Sequence, residues 1–318
     1  MRDFEITLLS KEGCGEEKEI KKGSIKEFKK LDDAISDVWR EFEAIIFIVA
    51  VGAVVRKIAP FLENKARDPA ILVVNLSLNR VIPLLSGHLG GANSLSQTVA
   101  KRLNAINFIT TASEQTKTLS FDLLAKSRGW RIENLKALAR VSNRLIDKKP
   151  VKVATFASIF ETIEPKEGVS LVSESSIDEN SVVILPFGRF KTLTLRPKIS
   201  IGVGCCKGVK LEKVKEAFLL FQKEFGFLES DIKGFYSFVA KRGEKGLLEF
   251  VDSMGKEIKF FERDAINSLK NSFTQSASQK FFSLKGVAEP SAILGSNYKE
   301  LVIQKRAYFG QITFAGAV

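Results

Sequence analysis

Histidine occurs once in this 318-residue chain, at His88, and cysteine three times, at Cys14, Cys205 and Cys206. A structural zinc site asks for four Cys or His ligands, so this supply makes an all-protein zinc centre improbable. Three cysteines, two of them adjacent and the third far away in sequence, are too few for a disulfide framework, and no C-x-x-C spacing is present. Any Ser-His-Asp arrangement has to use His88 as its base. No apolar run approaches the ~20 residues of a transmembrane helix. The start, Met1-Arg2-Asp3-Phe4-Glu5, carries acids and lacks the apolar core of a signal peptide. A soluble, cytoplasmic protein is therefore expected. There is no P-loop, no GxSxG elbow, no fixed-period repeat, and no Arg-rich arm or basic–aromatic RNA signature.

What is present suits a folded, multi-domain chain. Hydrophobic residues make up 45% of the sequence, enough to bury a core and to exclude disorder as the main state. The length suggests two domains or three. The net charge is +12, which favours anionic partners. The excess grows along the chain, from 17 basic against 15 acidic residues over 1–118 to 19 against 13 over 198–318. Because the basic residues mostly sit beside acids, as in Glu212-Lys213 and Lys215-Glu216, nucleic acid is not the expected partner, and no membrane is.

The hydrophobic pattern alternates strands and helices. Residues 3–9 read as a strand, and Ser24, with Glu27 three residues on, reads as the capping box of a helix carrying Ile25, Phe28, Leu31, Ile35, Val38 and Phe42 on one face. The runs 45–51, 70–74 and 80–85 read as strands, the first a β-branched run of the kind buried on both faces of a parallel sheet. A helix is expected from Ser94 to Leu103, and a strand from Phe108 to Thr111. Two helices are predicted over 119–149, short strands at 151–156, 182–186 and 192–196, and a polar connection over 167–180. The last third restarts the rhythm with a strand at 199–203 and a helix bearing Leu211, Val214, Phe218, Phe221 and Phe225. Strands at 235–240, 258–261, 301–306 and 311–315 alternate with helices at 244–254, 276–283 and 289–295. The fold class read from this is α/β: two open, mainly parallel three-layer α/β domains, 1–118 and 198–318, joined by a small mixed linking region, 119–197.

Three segments carry candidate chemistry. In Ser86-Gly87-His88-Leu89-Gly90-Gly91-Ala92-Asn93 the glycines let backbone amides approach a ligand, Asn93 is placed to cap the following helix, and His88 brings an imidazole, the side chain type that can titrate near neutral pH. A tight strand–helix turn with an incidental histidine is the plainer alternative. Arg56, beyond the strand ending near Gly52, is either a fork for a carboxylate or a solvated helix charge. Gly202-x-Gly204-x-x-x-Gly208 invites a dinucleotide reading, but its third glycine is one position too far, and Ala240-Lys241-Arg242 stands where the acidic residue belongs. The turn still suits an anion, with Lys207 beside it. Cys205 and Cys206 read as small buried hydrophobes rather than reactive thiols.

The runs VGAVVRKIAP, DPAILVVN, VIPLLSGHLGGANSLSQTVAKRLNA and FITTASE resemble the N-terminal region of the CbiG family, the cobalt-precorrin-5A hydrolases of anaerobic cobalamin (vitamin B12) biosynthesis. FDLLAKSRGWRIENLKALARVSNRLIDKKPV is similar to that family's linking region. IGVGCCKGV through FFERDAI, GVAEPSAIL and LVIQKR are similar to its C-terminal domain, with Cys206-Lys207 where the family usually has Arg after the cysteine. The resemblance implies a cobalt-corrinoid substrate, a tetrapyrrole with several carboxylate arms and a ring A δ-lactone. The implied reaction is hydrolytic opening of that lactone with release of acetaldehyde, giving cobalt-precorrin-5B. On this reading His88 is the general base and the Gly90 and Gly91 amides form the oxyanion site. Ser86 or Asn93 orients water, and Arg56 clamps a carboxylate. Gly87, Gly202, Gly204 and Lys207 contribute to substrate binding, both loops facing one cleft, and Glu114 is a second acid–base candidate. His88 as an axial cobalt ligand competes for the same residue. Cobalt arrives with the substrate, so no cofactor or protein-held metal is expected, and neighbouring pathway enzymes are the protein partners implied. The alternative in another class is a non-catalytic corrinoid-binding or carrier protein.

Overall fold

A computed structural model describes residues 7–11, 24–64, 67–87, 90–110, 118–274 and 284–318, with side chains from Lys29 onward. The chain divides into two compact units, Met1–Gln115 and Thr116–Val318.

In the first unit β1 (Thr7–Lys11) pairs in parallel with β2 (Ser24–Phe28). The helix expected from Ser24 therefore starts later, as α1 (Leu31–Val38). The ladder with β1 satisfies the backbone of 24–28, and Asp32 and Asp33 in the first turn of α1 place negative charge at its N-terminal dipole. The elements β3 (Ala44–Ile48), α2 (Val51–Ile58), β4 (Ala70–Val74), β5 (Arg80–Leu85), α3 (Ala92–Leu103) and β6 (Ile106–Asn107) follow. The sheet order is β3-β4-β5-β6. One face packs Phe47, Ile71 and Val73 against Ile35 and Trp39 of the α1 region and Val54 and Ile58 of α2. The other packs Leu72, Val74 and Val81 against Ala92 and Ala100 of α3. Two helical layers thus enclose a sheet whose central strand β4 is buried along its whole length.

One pairing governs the geometry. β3 and β4 are parallel, as are β5 and β6, but β4 and β5 are antiparallel. Residues 75–79 join them, too few for a parallel crossover, which needs a dozen or more. Asn75 holds the hairpin, its Oδ1 accepting from the amides of Asn79 (3.0 Å) and Arg80 (2.9 Å).

The second unit holds two five-stranded sheets. The first comprises α4 (Phe121–Arg128), β7 (Arg131–Glu133), α5 (Lys136–Ile146), β8 (Val151–Thr155), α6 (Ala157–Phe160), β9 (Val169–Val172), β10 (Val182–Ile184) and β11 (Leu193–Arg196). Its order is β7-β11-β10-β8-β9, parallel except for β7 on β11. The polar stretch 167–180 thus contains β9, an edge strand, where exposed Ser and Glu side chains carry no burial cost.

The second sheet is built from β12 (Ile199–Cys205), α7 (Leu211–Phe225), β13 (Ile232–Phe238), α8 (Lys245–Ser253), β14 (Ile258–Phe261), α9 (Arg263–Asn267), α10 (Ala288–Gly295), β15 (Leu301–Tyr308) and β16 (Ile312–Ala317). Its order is β14-β13-β12-β16-β15, with β12, β13 and β14 parallel and β16 antiparallel to both neighbours. Both sheets of this unit share one core, which runs from Leu119 to Val318. The expected face of α7 is its buried one: Phe218 packs within 5.1–6.2 Å of the rings of Phe221, Phe227, Phe235, Phe250 and Phe314.

α10 lies close on the opposite face, and a glycine makes that possible. A Cβ on Gly202 would stand 1.8 Å from the carbonyl oxygen of Ala288. Gly202→Ala is therefore expected to push α10 off the sheet and lower stability by at least ~1–3 kcal/mol, the usual cost of overpacking. Urea unfolding measures this, and a wild-type midpoint would remove the packing role from Gly202.

Candidate functional site

The turn after β5 is held by its own backbone. Ser86 takes a left-handed conformation (φ 56°), sparsely populated for a residue with a side chain. Its hydroxyl donates to the Asp68 carbonyl (2.9 Å), tying the end of β5 to the approach to β4. The chain then folds back so tightly that a Cβ on Gly90 would meet the Ser86 Cβ at 2.4 Å, and one on Gly87 would meet the Asn93 Oδ1 at 2.8 Å. These glycines are required by close approach of the loop to itself. His88 and Leu89, at its centre, lie outside the described residues, as does Glu114.

The expected cap is corrected. Gly91, at φ 87°, is the N-cap of α3, and Asn93 is a buried residue inside the first turn. Two amides of that turn are spent within the loop: Ala92 N donates to the Ser86 carbonyl (3.2 Å) and Asn93 N to the Gly87 carbonyl (3.0 Å). The amides of Gly90 and Gly91 take no part in these two bonds. The Ser86 hydroxyl, donating to the Asp68 backbone carbonyl, serves as an anchor of the loop.

Arg56 and this loop are not brought together at one strand end. Ile48, Val74 and Val81 align towards one end of the strands, whereas Leu85 pairs with Ile71 towards the other. The chain leaves β3 and β5 at opposite ends of the sheet because β4 and β5 are antiparallel. Arg56 lies on α2, exposed, and its Nη1 donates back to the Gly52 carbonyl (3.2 Å) in the helix's first turn. Arg56 thus belongs to a helix that starts at the end of the sheet opposite to the turn after β5.

The second glycine-bearing turn follows β12. Gly202 and Gly204 are buried in the strand, where they accommodate α10 and the Thr313 hydroxyl, so close approach to a ligand is not their task. Beyond them the turn is firmly held. Cys206 N donates to the Gln311 carbonyl (2.8 Å), and Gly208, at φ 73°, donates its N–H to the Glu244 carboxylate (2.7 Å). Lys207 projects into solvent between them. The cysteines differ. Cys205, the last residue of β12, is half-buried, and burial pushes its thiol up to about 11. Cys206, past the strand end, is exposed, contrary to the expectation of a buried pair.

Sequence reasoning missed Lys241 and Glu244. Both follow β13, at the C-terminal ends of parallel strands, where open α/β sheets place ligands. Their signal was the strand end at Phe238, followed by polar residues before a new helix. Among the described residues, no group of three or more His, Cys, Asp or Glu side chains is placed to hold a metal ion. No helix among them is long and apolar enough to cross a membrane.

Comparison with known proteins covers nearly the whole chain. The family models for the cobalamin synthesis G N-terminal region, the cobalamin biosynthesis central region and the cobalamin synthesis G C-terminus match residues 33–114, 119–187 and 199–317. A cobalt-precorrin-5A hydrolase of Priestia megaterium is 30% identical over 308 residues, covering 89% of this chain and 80% of that protein. The protein of the same name from Salmonella typhimurium is 28% identical over 269 residues, covering 80% and 76%. Among solved structures, a cobalamin biosynthesis protein G homologue from Sulfolobus solfataricus covers 92% of this chain and 87% of its own at 23% identity, with a TM-score of 0.36.

Proposed function

This chain belongs to the cobalamin synthesis G family, and from that membership we infer that it hydrolyses the ring A δ-lactone of cobalt-precorrin-5A, releasing acetaldehyde and leaving cobalt-precorrin-5B. The observation that carries this is the 30% identity to a cobalt-precorrin-5A hydrolase over 89% of the chain, which spans both units.

The chemistry has two parts. Water must lose a proton as its oxygen adds to the lactone carbonyl, and the acyl–oxygen bond then breaks to leave a ring A carboxylate and an alkoxide. That alkoxide collapses to the aldehyde carbonyl. The carbon–carbon bond to the macrocycle breaks, and its electron pair passes to the conjugated ring system, where a proton completes the balance. A base near neutral pH and an oxyanion site are the two needs of the first part. His88 supplies the base, with Glu114 as the second candidate. Gly90 and Gly91 supply amides, held by the Ser86–Asp68 anchor and by the bonds that Ala92 and Asn93 make back into the loop. Such pre-arranged donors cost no reorganisation when charge develops. The basic balance of the chain suits a substrate with several carboxylate arms, and cobalt enters as part of that substrate. The reaction takes place in the cytoplasm, where neighbouring pathway enzymes supply the substrate and take up the product.

The test is direct. The purified chain, given cobalt-precorrin-5A, is expected to release acetaldehyde in stoichiometric amount and over many turnovers. A corrinoid carrier would bind the same compound and release none, and that result would sink the hydrolase reading.

A further inference from the structure

Past the C-terminal end of β13, beside the turn that follows β12, stands a lysine whose stem is packed and whose ammonium is only loosely paired. The Lys241 side chain is only 14% exposed, and its ammonium has the Glu244 carboxylate as ion-pair partner at 3.8 Å. That distance is beyond a hydrogen bond. A lysine packed along its stem with its head in water keeps its donors open to an anionic ligand. The Glu244 side chain, 10% exposed, faces elsewhere: its other oxygen accepts from Gly208 N at 2.7 Å. Glu244 thereby spends one oxygen on fixing the turn and leaves the lysine with donors to give.

The surroundings are rigid and electropositive. A Cβ on Gly246 would stand 2.2 Å from the Val209 carbonyl oxygen, so α8 is pressed onto the end of the same turn. The Ser237 hydroxyl ties β13 to the Val203 carbonyl (2.7 Å), and Cys206 N binds the Gln311 carbonyl. Lys207 adds a second, exposed cation on that turn. A fixed turn with one exposed lysine on it, and a second lysine held beside it by a packed stem, is suited to a carboxylate, whose second oxygen can remain in water.

We propose that Lys241, with Lys207 at the rim, docks a carboxylate arm of the substrate, and that Glu244 is a positioning residue which holds the Cys205–Gly208 turn and the lysine in place for it. The ligand class, a polycarboxylate corrinoid, rests on the proposed function; the docking itself is read separately from turnover.

The probe is dicyanocobyrinic acid, a stable cobalt corrinoid with free carboxylate arms, compared with its full methyl ester on the whole chain. Lys241→Gln is expected to weaken binding of the acid roughly ten- to hundredfold, the scale of a charged hydrogen bond, and to leave the ester unchanged. Lys241→Arg should keep most of the affinity, since it keeps the charge. Glu244→Gln should weaken the acid less than Lys241→Gln does. Bound acid should also shield the exposed thiol of Cys206 from alkylation in the wild type, read by mass spectrometry, which keeps the idea testable if Lys241→Gln fails to fold. Equal losses for acid and ester, unchanged acid affinity in folded Lys241→Gln, or an unprotected Cys206 would each overturn the docking role. A wild type that binds the acid through Lys241 yet releases no acetaldehyde would instead strike the hydrolase reading and leave this one standing.

Discussion

His88→Asn is expected to lower acetaldehyde release by about 10²–10⁴-fold while the fold and most of the corrinoid affinity persist, because a positioned general base contributes about that much. The substitution is diagnostic for a chain with a single imidazole. No second histidine can take over, and asparagine keeps polarity without accepting the proton. His88→Ala should lose a similar factor. A loss in kcat at unchanged KM assigns the effect to the chemical step. Wild-type turnover by folded His88→Asn would take the base away from His88 and direct attention to Glu114→Gln, which is otherwise expected to have little effect.

The second large effect concerns stability. Asp231 is 1% exposed, and its carboxylate receives both Nε (2.8 Å) and Nη2 (2.7 Å) of Arg131, besides the amide of Leu228 (3.0 Å). Arg131 belongs to β7 of one sheet, and Asp231 to the turn that leads into β13 of the other. The network continues through Glu133, which accepts from Arg131 and from Arg196. Arg196 also holds the carbonyls of Leu185, Phe187 and Gly188. Removing Arg131 leaves the buried Asp231 carboxylate without its charge partner, so Arg131→Ala is expected to cost about 3–5 kcal/mol. Asp231→Ala should cost less, since Arg131 is partly exposed and keeps Glu133, and the double variant clearly less than the sum. Urea unfolding measures all three, and a cost below about 1 kcal/mol for Arg131→Ala would show that the network adds nothing.

The same network fixes the sign of an acid effect. Burial by itself would raise Glu133, but hydrogen bonds from Arg196 and Arg131 outweigh it and hold its carboxyl below the usual range. A carboxyl depressed on folding contributes stability above its unfolded pKa, and this is lost as pH falls through the folded value. The loss should therefore set in below about pH 4.3, the ordinary glutamate value, and Glu133→Gln should reduce that acid sensitivity.

Both the successes and the failures of the sequence reading have local causes. The run Ala70–Val74 declared a strand buried on both faces, and the spacing of Val214, Phe218 and Phe221 declared a helix face, because each pattern is complete within a few turns of chain. β2 and β9 were missed because their residues carry no clean alternation; pairing with β1 and β8 makes them strands. Gly202 and Gly204 were taken for ligand-facing glycines because a close approach of helix to strand and a close approach of backbone to ligand demand the same residue. Asn93 was taken for a cap because Gly91, the true cap, is also a permitted N-cap residue.

The sequence by itself determined the α/β alternation, the family and the glycine loop with its single histidine, since all three reside in contiguous residues. Tertiary structure alone decided at which end of the sheet each loop leaves. It also joined Arg131 to Asp231 and set Glu244 against Gly208. Those outcomes follow from strand order and strand direction, which bring together residues far apart in the chain, and no local hydrophobic period records that choice.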